Sequence, residues 1–271
     1  MQPDGNAAGF FVDRHIEAGR GESTVFIDPW RSLSYAGLRA ASSRFADALH
    51  AAGLERERRI ALLMLDTIDF PIAFWGALRA GVVPVPVNTL LMPEQVGYVL
   101  ADSRAAALVV STPLMPALRP VLADTPGLRI IVAAPDGTRP EPAADQIGFA
   151  DFLADGSADM PPVPTSPDEV AFWLYSSGST GQPKGVKHIH SSLRATADTY
   201  AAQVLGIRAD DLVFSAAKLF FAYGLGNALT FPMSVGATTV LNSERPTPAR
   251  MFELMQKYNP SIFFGVPTLF A

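Results

Sequence analysis

The sequence predicts an α/β protein in which strands and helices alternate along the chain. Three apolar runs, at 59–65, 107–110 and 129–132, have strand length and the continuous hydrophobicity typical of parallel strands covered on both faces. Segments with helical spacing of apolar residues lie around them, at 69–80, 93–101 and 114–122. This alternation favours a layered α/β sheet with parallel stretches.

The N-terminal segment predicts a hairpin followed by a long helix. Residues 25–27 form a candidate strand, and 31–35 are placed to return as its partner. Apolar residues recur at helical spacing over 35–52, where Ser34 is a suitable N-cap and Gly53 a suitable C-terminal stop.

The next elements carry their own start and stop signals. The helix over 69–80 has Pro71 near its first turn and Gly81 at its end. The strand predicted over 82–87 contains two prolines, so it must lie at a sheet edge or a bulge. Pro93 then opens the following helix.

A proline-rich segment at 135–168 interrupts the alternation. It holds seven prolines and one short apolar patch, which is typical of a long surface connection. We therefore expect two units, a first α/β unit at 1–168 and a second at 169–271. The second unit is predicted to hold a helix capped by Ser191 or Ser192, strands at 212–215, 238–241 and 261–265, and helices at 226–233 and from Pro246 or Thr247.

Composition narrows the functional classes. The net charge of −5 and a pI near 5.4 argue against a general nucleic-acid binder. The absence of cysteine excludes disulfides and thiolate chemistry, and the four histidines lack the spacing of a zinc motif. No secretory signal is visible at the N-terminus, so a cytoplasmic location is expected. Residues 219–241 carry no charge, but their glycines, Pro232 and polar residues favour a buried core segment over a membrane span.

The stretch at 175–185, Tyr-Ser-Ser-Gly-Ser-Thr-Gly-Gln-Pro-Lys-Gly, predicts a phosphate-binding loop. Glycines let backbone N–H groups approach an anion, hydroxyls add donors, and Lys184 adds a positive charge. It is not a Walker A loop, because Gly185 follows the lysine and a strand rather than a helix is predicted next. A flexible linker would explain the glycines but not Pro-Lys-Gly. The candidate phosphate-binding residues are Ser176, Ser177, Gly178, Ser179, Thr180, Gly181, Lys184 and Gly185.

Residues 177–185 resemble the signature loop of the adenylate-forming superfamily, which includes acyl-CoA and aryl-CoA synthetases, luciferases and adenylation domains. Its pattern is Ser/Thr-Gly-Ser/Thr-Thr-Gly-x-Pro-Lys-Gly. Segments 33–38 and 79–88 also resemble superfamily segments. Residues 214–227, Phe-Ser-Ala-Ala-Lys-Leu-Phe-Phe-Ala-Tyr-Gly-Leu-Gly-Asn, are similar to those of benzoate-CoA ligases and their aryl-CoA relatives.

The resemblance implies the layered αβαβα-type N-terminal domain of such an enzyme, with two sheet units. It implies activation of benzoate or a similar aromatic carboxylate by ATP with Mg²⁺, then transfer to CoA. Ala222, Tyr223 and Gly224 would form the aryl pocket. Lys218 is expected at the surface rather than in the site, and His188 and His190 are expected to pack or make structural hydrogen bonds.

Later superfamily segments are missing from the 271 residues, including a Tyr-Gly-x-Thr-Glu stretch and a mobile C-terminal domain with the catalytic lysine. We therefore assign no catalytic residue and no protein metal ligand within the chain. We expect the N-terminal part of an aryl-CoA ligase, incomplete at its C-terminus, whose partner is the missing half and which alone has negligible full activity. A noncatalytic nucleotide- or carboxylate-binding module is the alternative, and a phosphotransferase ranks third.

Overall fold

The computed structural model describes residues 5–123, 125, 127–176 and 182–270. Within them the strands form two five-stranded sheets and one two-stranded hairpin. The strands are β1 (Thr24–Ile27), β2 (Ser32–Ser34), β3 (Arg59–Leu63), β4 (Val83–Pro86), β5 (Ala105–Ser111), β6 (Arg129–Ala133), β7 (Gln146–Gly148), β8 (Val170–Ser176), β9 (Lys184–Ile189), β10 (Leu212–Ser215), β11 (Thr238–Val240) and β12 (Ile262–Phe264).

Eleven α-helices lie in the same described part of the chain, and several continue as π-helical turns. The α-helices are α1 (Arg14–Glu17), α2 (Tyr35–Ala51), α3 (Asp69–Arg79), α4 (Pro93–Ser103), α5 (Met115–Leu122), α6 (Phe149–Ala154), α7 (His190–Thr196), α8 (Ala222–Leu225), α9 (Phe231–Val235), α10 (Pro248–Tyr258) and α11 (Pro267–Phe270). The π-helical turns are Gly9–Asp13, Ala197–Leu205 and Gly226–Thr230, and a 3₁₀ turn covers Thr112–Leu114.

The first sheet has the order β4-β3-β5-β6-β7, and every pairing in it is parallel. The second has the order β12-β10-β11-β1-β2 and is parallel except for the β1–β2 hairpin. The predicted α/β class and its parallel strands are confirmed. β4, with its two prolines, lies at an edge as predicted, because an interior strand would need the N–H groups that proline lacks.

Helices α2 and α3 form the centre of the main core. Ser34 caps α2 as predicted, because its side chain accepts a hydrogen bond from the Gly37 N–H at 3.1 Å. Every residue of α3 is buried, including the fully buried Trp75 and Arg79. The Arg79 guanidinium pairs with Asp13, which compensates its removal from water.

The proline-rich segment at 135–168 holds more structure than a surface connection. It contains β7 and α6, because Phe149 and Phe152 are buried against Phe45 of α2. The boundary at residue 168 stays a prediction, and one parallel pairing, between β1 and β11, crosses it. Neither Ser191 nor Ser192 caps α7, which begins at His190.

The uncharged run at 219–241 folds as α8, a π-helical turn, α9 and β11, and most of it is buried. The expected core segment is confirmed. Within the described residues, no helix combines the length and hydropathy needed to cross a membrane.

Candidate functional site

The predicted phosphate loop lies between the two strands of the β8–β9 hairpin. The two strands are antiparallel, with Tyr175 opposite Gly185 and Ser176 opposite Lys184, so the predicted strand-loop-strand setting is confirmed. Ser176, Lys184 and Gly185 are exposed where the strands enter the loop. The remaining candidates lie outside the described residues; they are Ser177, Gly178, Ser179, Thr180 and Gly181.

Tyr175 anchors the stem of this loop. Its hydroxyl donates to the Asp102 carboxylate of α4 at 2.5 Å, and its ring lies so close to Gly185 that a Cβ there would be 3.1 Å from the ring. Burial and the hydrogen bond to Asp102 raise the pKa of Tyr175, so the hydroxyl stays protonated and remains a donor. The stem is therefore tied to α4.

Two cavities lie beside the hairpin. The larger, of about 220 Å³, lies at its loop end and is lined by Asn88, Tyr175, Ser176, Phe221 and others. The second, of about 140 Å³, lies between the hairpin, α7 and the helix that starts at Ala222. Its lining is Phe172, Leu174, His188, Ser192, Leu193, Thr196, Ala222, Leu225, Gly226, Thr230 and Phe231. This lining is mostly apolar, so the second cavity suits an uncharged ring.

The predicted aryl-pocket residues take different positions around α8. Ala222 lines the second cavity. The Tyr223 side chain is half exposed, its hydroxyl donates to the Gly265 carbonyl at 3.2 Å, and its ring meets Phe264 edge-on. Gly224 packs against backbone, since a Cβ would lie 2.0 Å from the Lys218 carbonyl oxygen. Glycine is therefore required there by helix packing. The pocket roles of all three stay predictions.

Sequence reasoning missed the rest of the cavity wall on this helix. Ala222, Gly226 and Thr230 are four residues apart, the spacing that puts side chains on one helical face, and Phe231 adds an aromatic wall. The signal was available, because a helix over 226–233 was predicted. The triplet predicted from the sequence, 222–224, is contiguous, whereas the residues that line the cavity follow helical spacing.

Lys218 is not the surface residue that the sequence favoured. It is half-buried, and its Nζ donates to the backbone carbonyls of Asn242 and Glu244. Burial lowers the pKa of Lys218, and the nearby carboxylates of Asp66 and Glu244 oppose that shift. The side chain turns inward because the loop after β11 offers it carbonyl oxygens.

The two histidines of the hairpin region have structural contacts, as expected. The His188 ring stacks on Phe172 with centroids 4.6 Å apart, and burial lowers its pKa. The His190 Nδ1 accepts a hydrogen bond from the Ala7 N–H at 3.1 Å. Over the part of the chain that the structure describes, no group of three or more His, Asp or Glu side chains is arranged to hold a metal ion.

The whole region from Asp13 to the end of the chain, residues 13–271, matches the AMP-binding enzyme family. The chain belongs to this family. It is 49% identical over 268 residues to a 4-hydroxybenzoate-CoA/benzoate-CoA ligase of Rhodopseudomonas palustris, an alignment that covers 99% of the chain and 49% of that ligase.

Solved structures of the family share the fold. A benzoate CoA ligase from Burkholderia xenovorans LB400 superimposes with a TM-score of 0.89 at 42% identity, over 98% of the chain and 51% of that protein. The anthranilate CoA ligase AuaEII, solved in complex with anthranoyl-AMP, gives a TM-score of 0.92 at 29% identity, over 97% and 50%. The chain spans about half the length of the curated relatives it matches.

Proposed function

We propose that this chain supplies the ATP-phosphate loop and the aryl-binding cavity of an aryl-CoA ligase that activates benzoate or a similar aromatic carboxylate. The observation that carries the proposal is the apolar cavity of about 140 Å³ against the hairpin that bears the phosphate loop. An apolar cavity of roughly 150 Å³ is known to accept benzene. One unsubstituted ring therefore fits the available space.

The strand geometry links this cavity to the loop. Side chains two residues apart in a strand share a face, so Phe172, Leu174 and Ser176 of β8 point to the same side. Phe172 and Leu174 line the cavity, and Ser176 stands where the loop begins. A ring held between Phe172 and Phe231 would thus direct its carboxylate along β8 toward the phosphates.

In the proposed first step, a carboxylate oxygen attacks the α-phosphorus of ATP and the bond to pyrophosphate breaks. The Ser176 hydroxyl and the Lys184 ammonium stand at the two ends of the loop, where they can bind the β- and γ-phosphates and offset charge on the leaving pyrophosphate. Hydroxyl and phosphate oxygens are ligands suited to Mg²⁺, which supplies further charge neutralisation when bound with ATP.

In the proposed second step, the CoA thiol releases its proton to solvent, its sulfur attacks the carbonyl carbon of the aryl adenylate, and AMP leaves with the electrons of the broken C–O bond. The part of this chain in both steps is to bind and orient the aromatic acid and ATP. Because ATP and CoA are the co-substrates, we place the reaction in the cytoplasm as part of the proposal.

ATP–pyrophosphate exchange with the full-length protein tests this function. We expect exchange that depends on benzoate, and we expect Lys184→Ala to slow it by at least about tenfold, because the loop loses its charged donor. Lys257→Ala is the matched control, since Lys257 is an exposed residue of α10. Exchange without any aromatic acid, or unchanged exchange in Lys184→Ala, would contradict the proposal. ATP binding with no exchange would favour the noncatalytic module.

A further inference from the structure

The turn between β10 and α8 is held from one side by Lys218. This turn leads from the end of a parallel strand to the first helical residue of the cavity wall, Ala222. The Lys218 ammonium donates to the Glu244 carbonyl at 2.6 Å and also to the Asn242 carbonyl. Both carbonyls follow β11, so the lysine ties the turn to the neighbouring strand of its own sheet. A charged donor makes such bonds stronger than neutral ones.

Asp66 holds the same turn from the other sheet. It follows β3 and is 5% exposed. Its two carboxylate oxygens accept the Leu219 N–H at 3.2 and 3.3 Å. Lys218 directly precedes Leu219 in the chain. Its positive charge favours the ionised form of the Asp66 carboxylate, and that carboxylate in turn favours the charged form of Lys218. The turn is therefore fixed where the carboxyl ends of strands from both sheets meet.

The position of this turn sets the position of α8. The Phe221 N–H donates to the Lys218 carbonyl at 3.0 Å, and the Leu225 N–H donates to the Phe221 carbonyl at 2.8 Å. Gly224 packs directly on the Lys218 backbone, where even a methyl group has no room. A shift of the Lys218 backbone would therefore move α8, and with it Ala222 in the cavity wall.

We infer that Asp66 and Lys218 are positioning residues for the aromatic substrate, which fix α8 against the cavity without touching the ring. Neither side chain is among the described residues that line the cavity. The identity of the substrate in this inference rests on the proposed function, whereas the placement of α8 is a property of the fold. The placement of α8 and the binding of the substrate are therefore measured separately.

The first readout is amide hydrogen exchange in the full-length protein. Lys218→Met keeps most of the side-chain length and removes the donor. We expect exchange at the Phe221 and Leu225 amides to rise by about tenfold, since hydrogen bonds to charged groups contribute strongly. The Gly37 amide, which caps α2, should not change. Unchanged exchange at Phe221 and Leu225 overturns the inference, whether or not the protein activates benzoate.

The second readout separates positioning from a general loss of structure. In ATP–pyrophosphate exchange, we expect Lys218→Met to raise the KM for benzoate by roughly tenfold, while its KM for ATP stays within about twofold of the wild-type value. Asp66→Asn should also raise the KM for benzoate. Lys218→Arg should recover most of the affinity, because it restores a charged donor. Lys257→Met is the control. Equal changes in both KM values, or no change for benzoate, contradict the inference. If the wild-type protein shows no benzoate-dependent exchange while the amides respond, the proposed function fails and the positioning of α8 stands.

Discussion

Asp66 is expected to destabilise the folded protein at neutral and alkaline pH. Burial raises its pKa from 3.8 to about 6, although the Lys218 charge and the Leu219 N–H act against the shift. Each unit of pKa corresponds to about 1.4 kcal/mol, so the ionised carboxylate lowers the unfolding free energy by about 3 kcal/mol at pH 8 relative to acid.

The sign follows from proton binding. The folded pKa lies above the unfolded value, so the folded state binds the proton more tightly. The associated stabilisation is complete below pH 4 and is lost as the pH rises through 6. Asp66→Asn has no proton to lose. At pH 4 the unfolded carboxyl of the wild type is already partly ionised, so part of the effect is spent there. Relative to wild type, the unfolding free energy of Asp66→Asn should therefore be about 2.4 kcal/mol higher at pH 8 than at pH 4.

Urea unfolding followed by tryptophan fluorescence at pH 4 and pH 8 measures this difference. Comparing variant with wild type at each pH cancels the titration of distant groups. Asp210→Asn is the matched control, since the Asp210 side chain is 80% exposed, and it should show no such dependence. A difference between Asp66→Asn and wild type that does not change with pH would refute the reasoning. A gain in stability combined with a loss of benzoate affinity would link the buried charge to positioning of the site.

Three further predictions follow from single contacts. Gly224→Ala should lower the unfolding free energy by about 1–3 kcal/mol and raise the KM for benzoate, because its methyl group has no room beside the Lys218 carbonyl; an unchanged melting temperature would contradict this packing. Tyr175→Phe should raise the KM for ATP and cost about 1 kcal/mol of stability, because the hydrogen bond to Asp102 is lost. Tyr200→Phe is the exposed control, and wild-type kinetics in Tyr175→Phe would contradict a role of Tyr175 in holding the loop stem. His15 is buried and its pKa is lowered to about 4, so its neutral form stabilises the fold by about 3 kcal/mol above pH 6.5, and this stabilisation is lost as the pH falls through 4. In thermal melts, His15→Gln should lack that part of the loss of stability in acid. A decrease of melting temperature with falling pH equal to that of wild type would contradict this prediction.

Local sequence signals predicted the helices, strands and turns well. The Ser34 cap, the edge position of β4 and the hairpin around the phosphate loop all depend on residues close in sequence, where capping, proline and strand patterns act directly. The pairing of β1 with β11 depends on residues more than two hundred positions apart, and no local pattern reports it.

The candidate site was predictable only in part. The predicted phosphate loop is a contiguous motif, so its residue types were visible in the sequence. The Lys218 environment was not, because its carbonyl acceptors follow another strand and Asp66 comes from the other sheet. In the sequence, nothing distinguishes Asp66 from an ordinary polar loop residue. Only the fold shows that it is buried.

A substrate competition with the full-length protein tests the central claim most directly. The protein would be incubated with ATP, Mg²⁺, CoA and equal concentrations of benzoate, octanoate and malonate, and the acyl-CoA products would be identified by mass spectrometry. The account predicts benzoyl-CoA as the main product, and benzoyl-AMP when CoA is left out. Octanoyl-CoA or malonyl-CoA as the main product, or ATP binding without any aryl adenylate, would contradict it.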